Sequence, residues 1–159
     1  MKKVTFLLAT LLIGSMMLAG CKKDQPTPEP TPTTKTKTVE YQVKNESNGL
    51  VMSDCFKLSV TYIDANGESV TEDNVTLPWK KTIEVNLPFH AKMNGTFSYN
   101  DADLPEQVFY GRYYGIGYYN DNSLVISLTG GINSSSKEVF LNNIEQHPDR
   151  LQFTEEMDF

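Results

Sequence analysis

From Val39 onward the chain alternates apolar and polar residues. Val39, Tyr41 and Val43 are interleaved with Glu40, Gln42 and Lys44, and Phe56, Leu58, Val60 and Tyr62 with Lys57, Ser59 and Thr61. Successive side chains of a strand point to opposite faces, so this period predicts strands with one buried face. Asp64-Ala65-Asn66-Gly67 comes next, and its Asn-Gly pair accepts the positive φ of a tight turn, which predicts a hairpin. The segments Val70 to Leu77 and Lys80 to Leu87 continue the pattern, with Ile83, Val85 and Leu87 in phase. Pro78 between them marks a strand boundary, because proline has no N–H for a ladder. Ala91, Met93, Phe97 and Tyr99 predict a strand interrupted at Asn94-Gly95; Leu124-Ile126-Leu128 and Val139-Leu141 predict two more, with a hairpin turn at Asn120 to Ser123. A single helical turn is expected near Asn142 to His147. Arg150 to Phe153 reads as a final edge strand, and Thr154 to Phe159 as an acidic end that frays. Seven or eight short strands with almost no 3.6-residue period predict an all-β, antiparallel sandwich rather than a barrel.

The first twenty residues break this pattern. Met1-Lys2-Lys3 is a charged start, Val4 to Leu12 is apolar, and Leu18-Ala19-Gly20 is small ahead of Cys21, which is the layout of a signal peptide over residues 1–20. The apolar run is shorter than the roughly 20 residues a spanning helix needs, and Gly14-Ser15 interrupts it. Leu18-Ala19-Gly20-Cys21 resembles the bacterial lipobox, which implies that the Cys21 thiol carries a diacylglyceryl group, with a further chain such as palmitate, and anchors the mature protein in membrane lipid. One chain alone anchors marginally, so two or three are expected. Lys22-Lys23-Asp24 resembles the surface-export signal of one Gram-negative phylum, which implies an outer-membrane lipoprotein sent to the cell surface; read instead as a soluble start to the linker, it leaves the surface and the periplasmic face both open.

Residues 21–37 read as a Pro/Thr-rich tether. Gln25 to Lys37 holds four prolines and no apolar residue, so it cannot offset the entropy of folding. Prolines at this density favour extended polyproline II, and the segment is expected to hold the domain roughly 40 Å off the membrane. Residues 38–159 then suffice for one domain of ordinary size.

Charge narrows the partners. Without Lys2 and Lys3 the chain has 12 basic and 20 acidic residues, a net −8, which disfavours nucleic acid and a polybasic membrane role. The expected partners are membrane lipid through Cys21 and an envelope protein or surface glycan.

Candidate chemistry is sparse. With Cys21 acylated, Cys55 has no intramolecular partner and reads as a small buried hydrophobe. His90 and His147 are too far apart in sequence to suggest one metal site, and His90 reads as a loop residue. Asn100-Asp101-Ala102-Asp103 with Glu106 offers oxygen ligands but lacks the EF-hand pattern, so a solvated turn is expected and no metal or cofactor is assigned. A hydrolase would need His90 to meet Asp101 or Asp103 in a pocket; no motif requires that, and a non-enzymatic role is expected. The most unusual stretch is Phe109-Tyr110-Gly111-Arg112-Tyr113-Tyr114-Gly115-Ile116-Gly117-Tyr118-Tyr119. Tyr113, Tyr114, Tyr118 and Tyr119 could stack on sugar rings or anchor a partner; alternatively, since alternate residues of a strand face opposite ways, one set is core and the glycines serve tight sheet packing. A structural or assembly role is a second expectation, with Leu151 to Phe159 as a donated strand.

Tyr41-Gln42-Val43, Val60-Thr61-Tyr62 and Val75-Thr76-Leu77-Pro78-Trp79 together resemble the immunoglobulin-like β-sandwich of MmpS-type proteins, over residues 39 to about 90. The resemblance implies an immunoglobulin-like fold and an accessory role beside a lipid transporter, and it carries no catalytic residue. It leaves the tyrosine-rich region unaccounted for, and MmpS-type proteins are held by a membrane helix rather than a lipobox.

Overall fold

The computed structural model describes residues 35–159. The signal peptide, Cys21, Lys22-Lys23-Asp24 and most of the tether lie outside these residues. The described chain is the antiparallel all-β sandwich that the alternation predicts. One sheet contains β1 (Thr36–Val43), β6 (Trp79–Asn86), β8 (Gln107–Asn120), β9 (Ser123–Ile126) and β10 (Thr129–Ser136), in the order β10-β8-β1-β6 with β9 joined to β8. The other contains β4 (Lys57–Ile63), β5 (Ser69–Val75), β7 (His90–Ser98) and β11 (Gln152–Asp158), in the order β11-β7-β4-β5. A two-residue pair, β2 (Glu46–Ser47) and β3 (Leu50–Val51), lies against β10. Leu77–Pro78 and Leu87–Pro88, both cis, stand where the chain passes from one sheet to the other.

The buried faces are those the period selects. Val39, Tyr41 and Val43 of β1 meet Leu58, Val60 and Tyr62 of β4, and Ala91, Met93 and Phe97 of β7 extend the same core. The Tyr41 hydroxyl crosses between the sheets to donate to the Ile63 carbonyl at 2.7 Å, so its one polar atom is satisfied inside. The β4–β5 turn forms as expected: Gly67 takes φ +81°, and Asp64 Oδ1 accepts from the amides of Asn66 and Glu68. The long β8–β9 hairpin closes on Asp121 and Asn122, both at positive φ as a two-residue type I′ turn requires.

A second device ties the open edges. β5 and β6 are edge strands of different sheets, and Glu72 of β5 reaches across to β6. Its Oε2 accepts from Trp79 Nε1 at 2.9 Å, and its Oε1 from Lys81 Nζ at 3.0 Å and the Tyr62 hydroxyl at 3.2 Å. Trp79 is thereby a core anchor, 7% exposed and with its N–H partnered.

Five expectations need correction. Thr36 and Lys37, assigned to the tether, already pair with Asn86 and Val85 in β1. β7 is not interrupted at Asn94-Gly95: it runs unbroken, because a Cβ on Gly95 would lie 2.1 Å from the Phe153 ring, and the glycine makes the hollow that ring fills. Val139 and Leu141 are not in a strand but in helix α1 (Lys137–Gln146). Ser136 caps it through a bond from the Val139 amide, and the pair that faces inward is Phe140 and Ile144, four apart. His90 opens β7 rather than lying in a loop. The acidic tail does not fray: β11 pairs with β7 through Asp158, and Phe89 and Phe159 exchange backbone bonds beyond it. Phe153, Glu155 and Met157 share its more buried face, while Glu156 and Asp158 meet Lys92 and His90 on the outer one.

Candidate functional site

β8 is flanked by β1 on one side and by β9 and β10 on the other, which places the tyrosine-rich segment in the sheet interior. Its alternation splits the four candidate tyrosines. Tyr114 faces the second sheet and stacks on Phe153, with ring centroids 4.2 Å apart and planes 18° from parallel. Tyr118 lies on the same side, edge-on to Phe159, with Lys37 Nζ 3.9 Å from its ring centre. Tyr113 and Tyr119 lie on the opposite, outward face. The four therefore do not form one patch, and the glycines between them serve packing: Gly111, Gly115 and Gly117 each have backbone or side-chain atoms under 3 Å from where a Cβ would stand.

The outward face holds an unexpected group. Glu40 is 1% exposed although it points away from the core, because β1 presents it opposite Gly117 on β8 and Thr82 on β6. Its carboxylate accepts from the Tyr119 hydroxyl at 2.9 Å, from Thr82 Oγ1 at 3.0 Å and from the Gln42 amide. Burial by itself would raise its pKa, but the bonds from Gln42, Tyr119 and Thr82, with Lys80 nearby, outweigh that and hold it below the usual carboxylate range. Tyr119 is pushed the other way, chiefly by donating to that carboxylate. An ionised carboxylate only accepts, so Gln42 must turn its NH₂ toward Glu40 and its carbonyl away.

Beside it, between β1, the start of β6 and Tyr113, lies a groove of about 680 Å³ lined by Gln42, Lys44, Asn45, Glu46, Lys80 and Tyr113, with Pro78 on its wall. It combines one half-exposed aromatic face, a carbonyl fixed in direction by Glu40, amide groups, the Glu46 carboxylate and two ammonium groups. Such a set can stack on a flat ring and exchange hydrogen bonds with its hydroxyls. Of the four tyrosines only Tyr113 lines it. Gln42, Lys44 and Lys80 were not legible as site residues, since only the β1–β6 register brings Gln42 opposite Lys80.

The remaining candidates stand apart. His90 Nδ1 bonds Asp158 at 2.6 Å on an exposed face, while Asp101 and Asp103 lie beyond the far end of the nine-residue β7, so the His90–Asp101 or His90–Asp103 meeting does not occur. Asn100 to Asp103 is a 3₁₀ turn in which Asn100 accepts from the Ala102 amide, and Lys137 Nζ donates to the Asp101 carbonyl at 2.7 Å. Cys55 is half-buried at the edge of the core, where burial pushes its thiol up. His147 caps the C-terminus of α1 and is exposed. Among the described residues no helix is long and apolar enough to cross a membrane. Against known proteins, the chain matches no family model and no curated protein.

Proposed function

We propose that this protein is a non-enzymatic, lipid-anchored binding module of the bacterial outer membrane. Acylated Cys21 holds it, the Pro/Thr-rich tether sets it off the bilayer, and the sandwich presents the Tyr113 groove to a hydroxyl-rich ligand such as a surface glycan. One observation carries the binding arm: a buried, ionised Glu40 fixes Gln42 so that an acceptor stands ready beside an open aromatic face. Groups held in place before a ligand arrives lose less entropy when it binds. An accessory role beside an envelope transporter, as the MmpS resemblance implies, would use the same exposed groove. An assembly role by strand donation has less support, because Gln152 to Asp158 is already paired with β7.

The anchor is tested by palmitate labelling and detergent partition in a bacterial host. Wild type should label and enter the detergent phase, and Cys21→Ala should do neither; equal labelling of the variant would sink the anchor. The groove is tested by calorimetric titration with neutral hexasaccharides. Tyr113→Ala should weaken binding by about tenfold, the worth of one aromatic stacking contact. Binding that ignores this substitution would move the site elsewhere.

A further inference from the structure

A second cleft, of about 540 Å³, lies between β10, α1 and the inward face of β8, and both arginines of the chain line it. Neither Arg112 nor Arg150 makes an ion pair among the described residues, although acidic residues outnumber basic ones. Arg112 Nη1 donates to the Gln152 carbonyl at 2.5 Å and to the Asp149 carbonyl at 3.3 Å, and Arg150 Nη1 donates to Asn143 Oδ1. Every acceptor is neutral, so two positive charges share one cleft without a counter-charge. A guanidinium carries five N–H donors. Arg112 spends those of Nη1 on the chain, which leaves the Nε and Nη2 edge, the fork that accepts a carboxylate in two parallel bonds. Asn133, Ser134, Ser135 and Asn143 complete the lining with small neutral donors and acceptors suited to hydroxyls.

We infer that this cleft binds the carboxylate of an acidic glycan between Arg112 and Arg150. The inference rests on the glycan reading above but on a different face of β8, so the two can fail separately. Full-length protein in detergent would be titrated at physiological salt with trigalacturonate, its methyl ester, inorganic phosphate and hexaglutamate. Trigalacturonate should bind saturably and its neutral ester should not. Arg150→Gln should weaken binding by about tenfold, the loss of one charge-assisted bond, and Arg150→Lys, which keeps the charge but not the fork, should also weaken it. Tyr113→Ala should leave it unchanged. Absence of saturable binding, or binding indifferent to both Arg150 variants, would overturn the cleft. Equal binding of phosphate or hexaglutamate would overturn the glycan and leave a general anion site, and loss in Tyr113→Ala would place the ligand in the other groove.

Discussion

Gly130→Ala should be among the most damaging single-methyl changes in this domain, costing about 2–5 kcal/mol, the sum of overpacking and a side chain forced into left-handed backbone. Gly130 holds φ +90°, and a Cβ there would lie 1.9 Å from the Arg112 carbonyl oxygen. The obstacle is backbone, not the movable end of a side chain. It cannot step aside easily, because β8 is held by β1 on its other side and a shift would break that ladder as well. Gly111, on the facing strand, meets the Gly131 carbonyl at the same 1.9 Å, so the two strands approach closely from both directions. The neighbouring residue supplies the control. A Cβ on Gly131 would meet only Ser47 Oγ at 3.5 Å, an ordinary contact, and Gly131→Ala should stay within about 0.5 kcal/mol. Urea unfolding of the two variants beside wild type decides the matter: equal losses would mean that the close approach is not what requires glycine at 130.

These glycines also show how far the sequence could be read. Alternation found β1, β4, β5 and β6, and the Asn-Gly and Asp-Asn turns, because each is decided within a few residues. What it misplaced is decided by distant partners. Gly95 looks like a break until Phe153, far along the chain, fills the space above it. Val139 and Leu141 imitate a strand, yet the Ser136 cap and the Phe140–Ile144 spacing make a helix once aromatic partners Phe56, Tyr99 and Tyr110 receive Phe140. The tail is acidic by composition, yet Lys92 and His90 on the neighbouring strand β7 meet its outer charges. The candidate site follows the same rule. Composition drew attention to the tyrosines, and strand parity explains why they divide between two faces. It could not single out Tyr113 or expose Glu40, since the groove and the burial both arise from the registers of β1 with β6 and β8.

Glu72→Ala should cost about 2–4 kcal/mol near neutral pH, chiefly because it strands the indole N–H of a buried tryptophan, with a smaller loss from the partly exposed Lys81 and Tyr62 bonds. The carboxylate serves all three donors and joins the free edges of the two sheets, so its removal also unlinks β5 from β6. Its pKa lies below the ordinary 4.5, held down first by the bond from Trp79 and then by that from Lys81, against a smaller rise from burial. The sign of the pH effect follows. A depressed folded pKa means that the unfolded chain binds a proton more readily, so this group's stabilisation is complete above its unfolded value and is lost as pH falls through the folded one. Glu40 acts in the same direction, and Glu155, which burial pushes up, in the opposite one. Wild type alone therefore reports a sum, and the informative quantity is its difference from Glu72→Gln, which keeps an acceptor for the indole but cannot ionise. That difference should be largest near neutrality and shrink as pH drops below about 4.5, the ordinary glutamate value. A gap that stays constant from pH 7 to pH 3 would show that Glu72 acts through shape alone and that its charge has no part in closing the edge.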